Sequence, residues 1–405
     1  MNKSSSITII GASVVGCAIA FELSKNGYTN IKVIERNTTV TGQNQSNRSG
    51  GVIHSGIYYP QDIEPLKAKL CVEGNRLLYE FCQKYNLPHI KTGKLILALN
   101  NREEEYLDFF LKVGIENGVS GITKFSQSQA RKMVPNLGNF QMALYVPSTG
   151  SAALSPIVEK LKELSESNGV SYILNSRVME ISPGDGNFVI TTSSGTQTKT
   201  LETDVLINAA GLYSDKIARM VNPELNYEID PARGELFEYK VNRGDISING
   251  IHIYSSPYFY YNESKKKADL PIDEVLNLLK SGQITKTLGI HLSPVFENVD
   301  GQFLLGNTVS VGPLKTLGYG KEDYTTNLKT TSDCVAAVNQ FFPNLTPGDL
   351  KPRFVGIMAV LKGKTDYVIE RDSKYPNCIN LVGIDSPAWT AALSIAKYVG
   401  NKVNE

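Results

Sequence analysis

Four histidines, His54, His89, His252 and His291, carry the only imidazoles in the sequence. An imidazole titrates close to neutral pH and can take a proton from a hydroxyl, so these four are the first candidates for a general base. His54 follows the pair Gly50–Gly51 in a polar loop, and His291 lies in LGIHLSP, a strand expected to face a cleft. His252 sits in the strand-like GIHIY, and His89 follows a proline and reads as structural. We assign proton transfer to His54 and His291, in either order; the bland alternative is that each ring only satisfies nearby backbone groups. Arg233, close after Pro231 in DPARGELFE, could build a carboxylate clamp, or simply pair with Glu235 or Glu238. Tyr58, Tyr59, Tyr254, Tyr258, Tyr260 and Tyr261 could line a pocket, although tyrosines of β-rich regions often serve packing. The five cysteines are scattered, with no C-x-x-C pair and no metal-ligand spacing, so no metal is expected and the thiols read as buried in a reducing cytoplasm.

A second kind of chemistry is written in ITIIGASVVGCAIAFELSKNGYTNIKVIER. Gly11 follows a strand directly, Gly16 lies in the opening of a helix, and the second strand ends in Glu35, 24 positions after Gly11. Gly11 allows a tight turn and Gly16 lets helix and strand approach. The helix N-terminus attracts a pyrophosphate, and Glu35 can accept the ribose hydroxyls of an adenosine. Ser13 stands where the middle glycine of G-x-G-x-x-G is usual; the bland alternative is a glycine-rich turn with no ligand. The loop 37–60, with Gly50 and Gly51 able to lie against a flat ring, delays the next βαβ unit. The strand end Ala209, Ala210, Gly211 and the turn Ser386–Pro387, with Ser386 as N-cap and Pro387 as first helical residue, offer two more close approaches. Such remote segments point to FAD rather than NAD.

These residues need a scaffold. With 405 residues the chain is long enough for two or three domains. Its net charge of +1 lacks the basic excess of nucleic-acid binders, and no apolar run is long enough for a membrane helix. The apolar stretch from Ile7 to Leu23 superficially resembles a secretory signal, yet its order of strand, glycine turn and helix explains it better. Strands are expected at Ile7 to Ile10, Ile31 to Glu35 and Val205 to Asn208, and helices at Val14 to Asn26, Glu103 to Asn117 and Ser386 to Val403. Region 226–344 is aromatic and β-rich. The reading is an α/β (α+β) fold: a Rossmann-like FAD-binding domain from 1–88, 146–224 and 346–405, and a mixed or antiparallel β-sheet substrate domain from 89–145 and 225–345. Residues 262–286 read as a polar surface insertion around a short amphipathic helix.

The segments NRSGGVIHSGIYY to LLYEFC (47–82), GKLILAL, NAAGLYSDKIA, ARGELFEY, GIHLSPV and DSPAWTAALSIAKYV together resemble the L-2-hydroxyglutarate dehydrogenase/oxidase family. That family lies within the FAD-dependent superfamily of D-amino-acid oxidase, sarcosine oxidase and glycerol-3-phosphate dehydrogenase. The resemblance implies oxidation of an L-2-hydroxy acid, with hydride transfer to flavin N5, L-2-hydroxyglutarate to 2-oxoglutarate being the reaction expected first. It implies FAD contacts from Gly11, Ser13, Gly16, Glu35, Arg36, Arg48, Ser49, Gly50, Gly51, Val178, Ala210, Gly211, Gly383, Ser386, Pro387, Trp389 and Thr390. It puts His54 beside the flavin, where some relatives form a covalent link. Met358 stands where relatives carry an arginine for the substrate carboxylate, and a thioether cannot hold an anion. Arg233, Tyr58 and Lys364 are therefore the expected substrate contacts, with Lys362 a further option. The insertion has no counterpart in the family and could meet an electron acceptor (oxygen, a quinone or a carrier protein) or a membrane surface, unless it is a solvated loop. Glycerol-3-phosphate dehydrogenation, amine or amino-acid oxidation, and a non-catalytic flavin scaffold are the alternatives.

Overall fold

Every residue of Ile7–Ile10 is β-branched, a composition suited to a strand covered on both faces, and all four are buried. In the computed structural model, which describes residues 2–42, 45–264, 266–316, 319–326 and 328–405, this strand is central in a six-stranded sheet. Gln43 and Asn44 of the polar loop and Lys265 of the insertion lie outside the described residues. The strand order is Val368–Arg371, Cys378–Val382, Val205–Asn208, Ile7–Ile10, Ile31–Ile34, Ser171–Ile173. All neighbours are parallel except the first pair. The helix Val14–Lys25 packs against Leu154–Ser167 and Ala388–Asn404, and Pro65–Lys84 packs against Ala388–Asn404, forming one apolar core with the sheet.

A second sheet has eight strands in the order Lys351–Leu361, Ile229–Lys240, Gln302–Thr316, His291–Val299, His252–Ser255, Lys94–Ala98, Met142–Val146, Thr123–Phe125. Its pairings are antiparallel apart from His252–Ser255 beside Lys94–Ala98. Although the sequence groups 346–405 with the first domain, Lys351–Leu361 is hydrogen-bonded along Ile229–Lys240 as the edge of this second sheet. In Ile229–Lys240, side chains alternate between faces. Gly234 pairs with Lys315 on one side and Gly356 on the other, and Ala232 pairs with Met358, so these residues share a face; Arg233 belongs to the opposite one.

The insertion is more than a solvated loop. Tyr258–Tyr261, Lys267–Ala268 and Ile284–Thr287 form a small antiparallel sheet, and Ile272–Lys280 is the expected short helix. Val275, Leu279 and Ile284 are buried in a cluster that includes Tyr106 and Phe110. Phe259 meets Tyr106 edge to face at 5.3 Å. Each such side chain contributes roughly 1.5–3 kcal/mol through burial, so the segment is held to the body by its apolar face. No helix among the described residues is long and apolar enough to cross a membrane.

Candidate active site

The glycine turn fixes the start of the site. Gly11 has φ +103°, and a Cβ there would lie 2.5 Å from the Ala209 carbonyl oxygen; a Cβ on Gly16 would lie 1.8 Å from the Gly11 oxygen. Only glycine fits either place. Ser13 precedes the helix Val14–Lys25 and bonds through its hydroxyl to that of Ser46, which also accepts from the Val14 amide at 3.2 Å. The Glu35 carboxylate is buried and accepts from the amides of Ala12 at 2.8 Å and Asn37 at 2.9 Å. It is thereby aimed along the turn.

From here a cleft of about 450 Å³ runs between the two sheets. The remote segments meet in it: Gly11, Ser13 and Glu35 line one stretch, Arg36, Arg48, Ser49 and Gly50 the loop side, and Val178, Ala210 and Gly211 the far side. Ser386, Pro387 and Trp389 close it at the start of the last helix. Arg36 lies over the Tyr213 ring at 4.4 Å and pairs with Glu322 at 3.1 Å. Four other expected cofactor residues stand behind the surface. Gly16 packs beneath the turn, and Gly51 faces the Ala152 backbone. The Thr390 hydroxyl accepts from the His54 amide at 3.0 Å, and Gly383 lines a neighbouring chamber. Ser386 is not an N-cap: the helix is Ala388–Asn404, preceded by Pro387, and the Ala388 amide bonds to the Asp385 carbonyl at 2.8 Å, which already terminates the turn.

His54 and His291 both open onto the cleft. The His54 carbonyl accepts from Asn75 at 2.8 Å, so its backbone is clamped from both ends. The His291 ring is stacked on Tyr254, with centroids 4.2 Å apart and planes at 5°. Burial, then the charge of Lys94, pushes the His54 imidazole down to about 3, with His291 adding to the shift. His291 is also pushed down to about 3, first by burial and in part by Lys94 and Lys315, against an opposing bond at Gly289. Both are neutral bases at physiological pH. His252 lies behind the cleft, its Nε2 3.2 Å from the Ser151 hydroxyl, and His89 bonds to the Leu87 carbonyl at 2.8 Å, the structural place expected of it.

The expected substrate residues fare differently. Arg233 is fully buried on the face of its strand away from the cleft, where it pairs with Glu235 at 2.8 Å. Strand alternation, which turns Ala232, Gly234 and Leu236 into the cleft, turns both charges out of it. Tyr58 is also buried away from the cleft, packed edge to face on Phe110 and accepting a 3.1 Å bond from Lys94. Lys364 is exposed at the wall of the neighbouring chamber, of about 1270 Å³, and Lys362 pairs with Glu228 at 2.9 Å. Met358 lines both spaces.

Sequence reasoning missed Lys315, Lys94 and the pair Lys67–Asp385. Lys315 is exposed to both cleft and chamber, and desolvation by the protein around these spaces, opposed by Asp385, brings its ammonium down to about 8. Lys94 is fully buried, its ammonium 4.4 Å from the Tyr58 ring centre and 4.7 Å from that of Tyr254, and burial brings it down to about 7. Lys67 pairs with Asp385 at 2.7 Å; burial opposes its charge, but Asp385 and Glu64 hold the ammonium above its ordinary value. The available signals were a lone lysine inside each of the apolar runs GKLILAL and VSVGPLKT, and an acid directly before the Ser386 turn.

The cleft fits an elongated dinucleotide carrying a flat ring. Its ring-side residues hold buried polar atoms with no protein partner among the described residues: Nδ1 of His54, Nδ1 of His291, Nε of Arg48 and Nε1 of Trp389. Buried donors and acceptors of this kind are normally satisfied, and a bound group supplies what the protein does not. Comparison with known proteins agrees. The chain is 30% identical to the mitochondrial L-2-hydroxyglutarate dehydrogenase of Arabidopsis thaliana, over 97% of this chain and 82% of that one. It is 29% identical to the L-2-hydroxyglutarate dehydrogenase of Indibacter alkaliphilus, over 97% of each. Its fold is similar to that of the dithionite-reduced L-alpha-glycerophosphate oxidase of Mycoplasma pneumoniae with FAD bound, with TM-score 0.81 and 23% identity over 100% of this chain and 96% of that one. The sequence pattern of the FAD dependent oxidoreductase family DAO matches residues 6–401, and with the glycine turn, Glu35 and the remote segments converging on one cleft, the chain belongs to that family.

Proposed function

We propose that this protein oxidises an L-2-hydroxy acid, with L-2-hydroxyglutarate to 2-oxoglutarate as the leading reaction. The observation that carries the reading is the pair His54 and His291, both neutral and both open to the cleft that holds the dinucleotide signature. FAD supplies the acceptor for the hydride when bound, held by Gly11, Glu35, Gly50, Gly211 and the Ser386–Pro387 turn. One of the two imidazoles takes the hydroxyl proton, and the other orients the substrate oxygen. The stack on Tyr254 restrains the His291 ring, which need not be ordered when substrate arrives, and Thr390 with Asn75 fix the backbone from which the His54 ring projects. The similarity to L-2-hydroxyglutarate dehydrogenases supports this substrate over others. The five free, buried cysteines agree with a cytoplasmic location. The insertion wall beside the chamber is where we propose an electron acceptor or a membrane surface would approach.

Glycerol 3-phosphate is the second reading, favoured by the fold likeness to a glycerophosphate oxidase. The test is anaerobic mixing of purified protein with L-2-hydroxyglutarate, its D enantiomer, glycerol 3-phosphate and an amino acid, following the flavin absorbance. Bleaching by L-2-hydroxyglutarate alone is expected. Bleaching by glycerol 3-phosphate alone would move the assignment to the second reading, and failure of every 2-hydroxy acid to bleach would end the first.

A further inference from the structure

Any hydroxy acid must bring a carboxylate into the inner cleft, yet neither of the two positions from which a clamp was expected supplies a cation to it. Met358 carries no charge, and Arg233 faces away into its pair with Glu235. Of the lysines that line cleft or chamber, Lys315 alone among the described residues lines both. Lys67 is committed to Asp385 at 2.7 Å and Lys286 to Glu64, both pairs buried. Lys315 has no hydrogen bond and no ion pair among the described residues, although its side chain opens onto the space that cleft and chamber share. It stands on the strand next to that of His291, with Ile229–Lys240 between it and the strand of Met358, and Gly234 is its partner across the strand pair.

We infer that Lys315 is the substrate-carboxylate site of this protein, taking over from the missing arginine and selecting anionic substrates. The inference rests on the reading above and names the residue that reads the charge of its substrate. The Lys315 side chain is exposed to this shared space, so a carboxylate that enters it reaches the ammonium directly and gains a charge-assisted hydrogen bond. The charged and titratable groups facing Lys315 are Asp385 from the loop before the last helix, Lys67 from Pro65–Lys84 and His291 from the adjacent strand. Asp385 and Lys67 are spent on each other and His291 is neutral, which leaves Lys315 the net positive point.

The test uses glutarate, which has no hydroxyl to oxidise, titrated into the FAD-loaded protein while the flavin spectrum reports binding. Lys315→Met is expected to weaken glutarate roughly 10- to 100-fold, and Lys315→Arg to restore most of it. Parent affinity is expected to fall as pH rises through about 8, where Lys315 loses its proton, and the Arg variant to hold its affinity beyond that point. Flavin content of each variant checks folding. Glutarate that binds Lys315→Met as tightly as the parent, or that leaves the parent spectrum unmoved, overturns the assignment. If L-2-hydroxyglutarate fails to bleach the flavin while glutarate still binds through Lys315, the reaction proposed above falls and the carboxylate site stands.

Discussion

Lys94 is the residue at which stability and chemistry pull apart. Its ammonium is buried without an ion pair among the described residues, held only by the Tyr58 hydroxyl and two ring faces. Cation–π contacts recover a part of the lost hydration and leave a net penalty. Its folded pKa of about 7 lies below the ordinary 10.5, so the folded state binds fewer protons between those values and stability rises with pH across that window. Lys94→Met is therefore expected to stabilise the protein by roughly 1–3 kcal/mol at pH 6, with a gain that shrinks toward pH 10, as read from urea unfolding at both pH values. The same change removes a charge that holds His54 and His291 down. The acid limb of kcat/KM should then move up toward the ordinary imidazole range; an unmoved limb with raised stability would separate Lys94 from the histidines. GKLILAL foretold a strand but not this role, because a lysine at a strand end ordinarily reaches water and only the tertiary packing of Tyr58 and Tyr254 denies it that.

Among elements, the strand Ile229–Lys240 decides most about the site, and by a rule of period two. The sequence segment around Arg233 suggested a clamp, but the register puts Arg233 and Glu235 on the buried outer face. Register depends on where neighbouring strands begin, and the bulges near Glu235 and Leu236 shift it locally, so the side on which a given arginine falls is not readable from the chain alone. Arg233→Met should accordingly act on folding: a loss of about 3 kcal/mol from taking the guanidinium away from Glu235, with glutarate affinity of the folded fraction unchanged. An intact melting curve with weakened glutarate binding would instead restore Arg233 to the cleft. The opening strand, helix and strand were legible almost residue for residue, since Ile7–Ile10 and Val14–Lys25 depend on local composition and a glycine turn whose geometry is local too.

At the scale of the molecule, what the sequence could announce was convergence: Gly50, Gly211 and Ser386 each look able to lie against a ligand, and they line one cleft. What it could not announce was the large chamber alongside, because its walls are assembled from the insertion, the helix Pro65–Lys84 and the edge of the second sheet, all through long-range packing. The lining that cleft and chamber share around Lys315 has a practical outcome. It forms a gutter that runs out of the inner space rather than ending against a back wall, since Ala232, Pro313, Lys315 and Met358 border both volumes. Diacids lengthened by a methylene at a time should slide along it, losing less kcat/KM per added carbon than the roughly tenfold a closed apolar pocket imposes. Comparing the 2-hydroxy diacids of four to seven carbons would reveal a sharp cut-off if the gutter were blocked, and a shallow decline makes this protein a ready starting point for accepting bulkier acids.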